Sequence, residues 1–197
     1  MSSLQNIFML ALVSLLFGGL LVRADPSLAS TNKERVNASI RKAESYSRQG
    51  NNVAALKIYN QAITMYPGNT ELYYGRAAVW GRAGQYGRAL KDLSVVMNRA
   101  GRRYPHAVRF RADCYMALGY MQKAVEDYKT FLRKAPEDGK VWSYLAEAYT
   151  LMGRRDLALQ AIRKGLATNS HWDGKLRKLQ QQIMVGEPIQ PHKPFSN

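Results

Sequence analysis

The 197-residue sequence predicts an all-α fold in which short antiparallel helix pairs stack into a solenoid. Two residue classes recur with one register, as Gly50, Gly84, Gly119 and Gly153, and as Ala55, Ala89, Ala124 and Ala158. Both series step by 34, 35 and 34 residues, and two unrelated residue classes would rarely share these steps by chance. The period indicates a structural repeat present in about four copies.

The first copy of the repeat shows why each unit should form two helices. Ala43 and Ala55 are small and allow two helix backbones to approach closely, while an aromatic residue follows each of them at helical spacing. Gly50 can adopt the positive φ that ends the first helix, and Pro67 stops the second because proline has no amide donor. One pair cannot bury both of its apolar faces, so neighbouring units must stack.

The order small, aromatic, Gly, Ala, aromatic, small and Pro at these spacings resembles the tetratricopeptide repeat. The resemblance implies a right-handed superhelical solenoid of about four helix pairs with a C-terminal capping helix. The units are predicted at residues 36–69, 70–104, 105–138 and 139–172, which together span 36–172. A polar linker is expected at 25–35, the capping helix at 173–185 and a disordered tail at 186–197, which carries three prolines.

The N-terminal segment predicts export. Residues 7–22 contain no charge, their length suits the apolar part of a signal peptide, and small residues precede a cut after Ala24 or Ala29. Residues 1–24 are therefore expected to direct the chain to a bacterial periplasm, the exterior or a secretory lumen. The alternative is an uncleaved membrane anchor at 7–22, because residues 1–6 lack Lys and Arg whereas basic residues follow the apolar run.

The charge predicts an anionic partner. Lys and Arg number 29 against 14 acids, which gives a formal net charge of +15. An acidic protein or peptide is the expected partner, and nucleic acid is not expected because no base-reading motif accompanies the charge. Part of the charge should be structural, since Arg76 with Asp92 and Arg111 with Asp127 hold equivalent positions and can each join the two helices of a unit.

No catalytic, metal-binding or cofactor-binding pattern is present in the sequence. It lacks a phosphate-binding glycine loop, a nucleophile elbow and a clustered set of His or Cys ligands. The single cysteine, Cys114, excludes a disulfide framework and is expected to be a buried apolar residue. An enzyme would need a site that this sequence does not offer, so catalysis is the third and weakest interpretation.

The resemblance also implies that the first helix of each unit lines a concave groove. The partner-binding residues expected there are Arg41, Glu44, Arg48, Tyr74, Arg82, Arg109, Asp113, Tyr144 and Glu147. The clamp with which some members of the family hold a peptide carboxylate is absent, since its positions contain Ile40, Glu44 and Gly75. The expected function is a non-catalytic scaffold or adaptor that binds a partner segment in this groove. The alternative is a basic surface adaptor for an anionic polymer, a membrane or nucleic acid.

Overall fold

The computed structural model describes residues 26–101 and 103–192, with side chains from Thr31 onward, and these residues form nine α-helices and no β-strand. The helices are α1 Pro26–Arg48, α2 Asn52–Met65, α3 Thr70–Arg82, α4 Tyr86–Ala100, α5 Pro105–Ala117, α6 Met121–Leu132, α7 Gly139–Leu151, α8 Arg155–Leu166 and α9 Asp173–Val185. The all-α prediction is confirmed. The predicted signal segment, residues 1–24, lies outside the described residues.

The chain divides into two compact units, residues 1–38 and 39–197. In the first unit the described backbone is helical from Pro26, so most of the segment predicted as a linker is helix instead. Proline suits the first turn of a helix, where no backbone amide donor is required. None of the helices that the structure describes combines the length and apolar composition needed to cross a membrane.

In the second unit the helices stack in chain order. Helices α3 and α4, α5 and α6, and α7 and α8 pack as pairs, and each pair packs against the next. Helix α3 also contacts α5, and α9 contacts both α7 and α8. The contact of α3 with α5 places two first helices side by side, and α9 covers the end of the stack as a capping helix does in a solenoid.

The small residues of the repeat lie at the closest helix contacts. All eight signature alanines are at most 1% exposed, namely Ala43, Ala55, Ala77, Ala89, Ala112, Ala124, Ala146 and Ala158. A larger side chain at any of these positions would push the helices apart. The reason inferred for the recurrent alanines, close backbone approach, agrees with this burial.

The recurrent glycines end the first helix of each pair. Gly50, Gly84, Gly119 and Gly153 have φ values of 79°, 71°, 79° and 70°, in the left-handed region that side chains other than glycine rarely adopt. The positive φ predicted for Gly50 is therefore confirmed, and the other three copies share it.

Two ion pairs join the helices within units, as predicted. Arg111 donates from Nε and Nη2 to the two carboxylate oxygens of Asp127, each at 2.7 Å. Arg76 binds Asp92 in the same two-pronged way at 2.8 and 2.7 Å. The aspartates are buried, so each pair neutralises a charge that would otherwise destabilise the fold.

The tail beyond α9 differs from the disorder predicted for residues 186–197. Gly186, with φ of 78°, ends α9, and residues 187–192 continue without helix or strand. Ile189 packs against the apolar core of α5 to α9, and the imidazole of His192 is only 4% exposed. The spacing of the prolines predicts an extended backbone for the tail. It does not predict these contacts, because they depend on side chains far away in the sequence. Residues 193–197 lie outside the described residues.

Candidate functional site

The first helices of successive units carry the predicted partner-binding residues Arg82, Tyr74, Arg109, Asp113, Tyr144 and Glu147, and we call this row of residues the groove. Side-chain contacts connect the helices along it. Arg82 Nε donates to Ser47 Oγ at 2.9 Å, which joins α3 to α1. The ring of Tyr74 stacks on that of Phe110 with centroids 5.5 Å apart and planes 3° apart, which joins α3 to α5.

The groove contains a binding pocket that His192 of the tail occupies. We call it the histidine pocket and define it by Asp113 of α5, Tyr128 of α6, and Tyr144 and Glu147 of α7. The imidazole lies parallel to the Tyr144 ring, with centroids 3.5 Å apart and an interplanar angle of 9°. His192 Nδ1 lies 2.7 Å from Glu147 Oε2, and the His192 backbone amide donates to the same oxygen at 3.0 Å.

The opposite edge of the imidazole faces a second carboxylate. His192 Nε2 lies 3.4 Å from the Tyr128 hydroxyl oxygen and 3.7 Å from Asp113 Oδ1. The Tyr128 hydroxyl donates to Asp113 Oδ1 at 2.7 Å. In its charged form the imidazole carries a donor on each nitrogen, and each donor then has an oxygen to bind.

Cationic side chains surround the two carboxylates from outside the pocket. Lys175 Nζ of α9 lies 3.4 Å from Glu147 Oε1, and Arg109 Nη1 lies 3.3 Å from Asp113 Oδ2. Lys175 also lies 5.4 Å from the Tyr144 ring centroid, and Lys140 lies 5.8 Å from it. The aromatic wall is thus rimmed with positive charge, while the pocket itself is acidic.

These contacts shift the pKa values of the buried groups in opposite directions. Burial alone would lower the pKa of His192, but its hydrogen bonds and charge interactions with Asp113 and Glu147 raise it above 6.5. Burial alone would raise the pKa of Glu147, but His192 and Lys175 together lower it below 4.5. Burial and then the charge of Asp113 raise the pKa values of Tyr128 and Tyr144, so both hydroxyls remain protonated.

The predicted groove residues fall into two groups. Asp113, Tyr144 and Glu147 are buried and meet in the histidine pocket. The others lie nearer the N-terminal end of the groove, where Arg41, Glu44, Arg48 and Arg82 are exposed and Tyr74 and Arg109 are half-buried. Because Arg109 pairs with Asp113, its charge is compensated, whereas Arg48 and Arg82 remain exposed.

Sequence reasoning missed three residues of the site, namely Tyr128, Lys175 and His192. Tyr128 holds the aromatic position on the second helix of the third unit; it is fully buried, and its hydroxyl donates to Asp113 of the pocket. Lys175 lies on the capping helix, outside the repeats. His192 stands 45 residues from Glu147, and no local pattern indicates that contact.

A separate cleft has none of the histidine-pocket residues in its lining. This outer cleft, between α6, α7 and α8, has a volume of about 530 Å³ and is lined by Lys129, Arg133, Trp142, Tyr149 and Lys164 among others. Across residues 26–101 and 103–192, no group of three His, Cys, Asp or Glu side chains is arranged to hold a metal ion.

Comparison with known proteins identifies the family. The family model described as bacterial transcriptional activator domain matches residues 34–184, well over half of the chain. Serine/threonine-protein phosphatase 5 is 36% identical in Mus musculus and 34% identical in Homo sapiens over 84 residues, which are 43% of this chain. That stretch is 17% of each phosphatase, so the match does not transfer the phosphatase activity to this chain.

Solved structures show the same fold at low sequence identity. A tetratricopeptide repeat protein from Parabacteroides merdae has a TM-score of 0.67 at 21% identity, over 78% of this chain and 61% of its own. MamA from Desulfovibrio magneticus has a TM-score of 0.64 at 14% identity, over 77% of this chain and 94% of its own. The chain therefore belongs to the bacterial transcriptional activator domain family, and its fold is that of the tetratricopeptide-repeat proteins.

Proposed function

We propose that this chain is a non-catalytic scaffold that binds a segment of a partner protein in the groove. The observation that carries the proposal is the seated tail: residues 187–192 already lie there as a segment without helix or strand, and the groove supplies partners for both the backbone and the imidazole of His192. A surface that accommodates one peptide segment in this way has the shape and the hydrogen-bonding groups to accommodate another.

The exposed arginines suggest the character of the partner. Arg48 and Arg82 lie on successive first helices and are exposed, and Tyr74 offers a half-buried aromatic surface nearby on α3. We expect the partner segment to carry acidic residues where it meets these arginines, because complementary charge fixes register and speeds association.

A basic surface adaptor is the second candidate, and internal pairing weakens it. In the basic run around the junction of the second and third units, Arg99 donates to the Pro67 carbonyl at 2.7 Å, Arg109 pairs with Asp113, and Arg111 pairs with Asp127. These three arginines therefore take part in contacts that stabilise the folded chain. Binding that persists at about 0.5 M salt would favour the scaffold, because exposed charge attraction is screened at that ionic strength.

The experiment compares two double variants of the full chain against a partner isolated from the native compartment. R48E/R82E alters the groove, and K129E/K134E alters two exposed residues in and just after α6, of which Lys129 lines the outer cleft. Each variant replaces two positive charges with two negative ones and lowers the net charge by four, from +15 to +11. We expect R48E/R82E to weaken binding about tenfold or more and K129E/K134E to have little effect. Equal losses would favour the basic surface adaptor, and loss only in K129E/K134E would favour the outer cleft.

We also propose that the chain is exported or membrane-anchored, with the charge-free residues 7–22 as the supporting feature. In either case the repeats would present the groove to a partner in the compartment that they reach.

A further inference from the structure

The histidine pocket differs in chemistry from the rest of the groove. Near α1 and α3 the exposed charges include Arg48 and Arg82, whereas the pocket holds two carboxylates, Asp113 and Glu147, each 3% exposed. Burying two carboxylates destabilises the fold unless a cation lies close to both of them. Arg109 and Lys175 approach from the rim, but the imidazole of His192 is the group that lies between the carboxylates.

The geometry selects a flat cation, such as an imidazolium, over an ammonium group. The flat Tyr144 ring accommodates a flat group in parallel contact at 3.5 Å, which a tetrahedral ammonium group cannot match. The oxygens of Glu147 and Tyr128 lie at opposite edges of the bound ring, 2.7 Å from Nδ1 and 3.4 Å from Nε2. An imidazolium places one donor at each of these edges. Glu147 Oε2 also accepts a hydrogen bond from the backbone amide of His192, so the pocket binds the backbone of the tail as well as the imidazole.

The geometry points to the histidine pocket as a recognition site for a histidine carried on an extended segment, which the chain's own tail fills and which a partner segment enters only by displacing that tail. This inference rests on the proposed function, since it specifies one residue of the segment that the groove binds. The inference adds that the tail and the partner segment compete for the histidine pocket. Only the fraction of molecules whose pocket is empty can bind a partner there.

The competition should depend on pH, because several ionisable groups face the imidazole. Asp113 and Arg109 lie on α5, Tyr128 on α6, Lys140, Tyr144 and Glu147 on α7, and Lys175 on α9. Between the lowered pKa of Glu147 and the raised pKa of the imidazole, Glu147 is anionic and the occupant of the pocket is cationic. Above the pKa of the imidazole the attraction is lost and one nitrogen becomes an acceptor.

The test uses the full chain, as wild type and as H192A, with a synthetic peptide as the probe. The peptide copies residues 186–192, carries a fluorophore at its N-terminus and an amide at its C-terminus, and its binding is followed by fluorescence anisotropy at pH 6. A second peptide replaces the histidine with alanine. We expect the histidine peptide to bind H192A at least about tenfold more tightly than wild type, because the pocket of the variant is no longer filled in cis.

Three further results are expected. The alanine peptide should bind neither protein, H192A/E147Q should bind the histidine peptide about tenfold more weakly than H192A, and binding to H192A should fall at pH 8.5. Equal binding of the two peptides, equal binding by wild type and H192A, or no binding to H192A at about 1 mM peptide would overturn the inference. The comparison between peptides needs no further protein variant. If the peptides fail while R48E/R82E still loses the partner, the histidine pocket is refuted and the proposed function stands.

Discussion

The imidazole of His192 lies flat against the phenol ring of Tyr144, with ring centroids 3.5 Å apart, although the two residues are 48 positions apart in the sequence. This contact, together with the hydrogen bonds to Glu147, places the C-terminal tail in the groove of its own repeat domain. The groove is therefore partly filled by the tail, and a partner segment that binds there, as we propose, must displace it.

The docked tail should be most stable in mildly acidic solution. The pKa of His192 is raised in the folded state, so its contribution is full below 6.5 and is lost as the pH rises through the higher folded value. The pKa of Glu147 is lowered, so its contribution is full above 4.5 and is lost as the pH falls through the lower folded value. Docking should thus be strongest between these limits.

The measurement is an NMR titration of the imidazole protons of the full chain. The reference is the same histidine in a free synthetic peptide of residues 186–192. We expect His192 of the folded chain to titrate at a higher pH than in the peptide, and E147Q to bring its midpoint down. A midpoint in the wild-type chain equal to that of the peptide would show that the tail is not held by the carboxylates.

Gly75 should tolerate no side chain, because Tyr59 packs directly against it. A methyl group added at Gly75 would lie within 3 Å of the hydroxyl oxygen and two ring carbons of Tyr59, which is itself fully buried. We expect G75A to lower the free energy of unfolding by about 1 to 3 kcal/mol, as overpacking does in tight cores. The change in the free energy of unfolding is measured by urea unfolding monitored by circular dichroism.

Gly87 provides the matched control. It lies in helix α4, is exposed, and has no atom within 4 Å of the position that a methyl group would take. G87A should therefore leave stability unchanged or raise it by up to about 1 kcal/mol, because alanine is the better helix former. Equal destabilisation by G75A and G87A would contradict the packing described for α2 against α3.

Cys114 should be unreactive while the chain is folded. Its side chain is fully buried, and burial, reinforced by the negative charge of Asp113, raises the pKa of the thiol to about 12. At pH 8 the thiol is protonated and shielded, so a disulfide-exchange reagent should react roughly a hundredfold more slowly than it does in denaturant. Absorbance of the released thiolate follows the reaction. Prompt labelling in buffer would contradict the burial of Cys114.

The N-terminus of the native protein tests export. If residues 1–24 form a cleaved signal peptide, N-terminal sequencing should find Asp25 or Ser30 as the first residue. Intact Met1, with the repeats accessible from the cytoplasm, would instead support an uncleaved anchor.

Much of the fold follows from local patterns in the sequence. Gly50 and its three counterparts predict the turns because a positive φ is a property of single residues, and the alanines predict close packing because helix faces repeat every few residues. The Arg111 and Asp127 pair was predictable because the second unit repeats it at Arg76 and Asp92. Each of these features depends on residues within a single repeat.

The histidine pocket was not predictable in the same way. Asp113, Tyr144 and Glu147 were assigned to the groove from repeat position, but the residue that joins them lies outside the repeats. Three prolines at 188, 191 and 194 describe an extended tail, and only the assembled stack determines where such a tail can rest. The charge count likewise predicted an anionic partner, but it cannot show that Arg109 is already paired with Asp113.

Site-specific photo-crosslinking to the isolated partner tests the central claim most directly. A photoreactive amino acid is placed at Arg82 in the groove in one full-length protein and at Lys129 on the outer helix α6 in another, both exposed positions. The account predicts a crosslink from position 82, with the attachment point in an acidic segment of the partner, and none from position 129. Crosslinking from position 129 alone would place the partner on the outer surface and contradict the account.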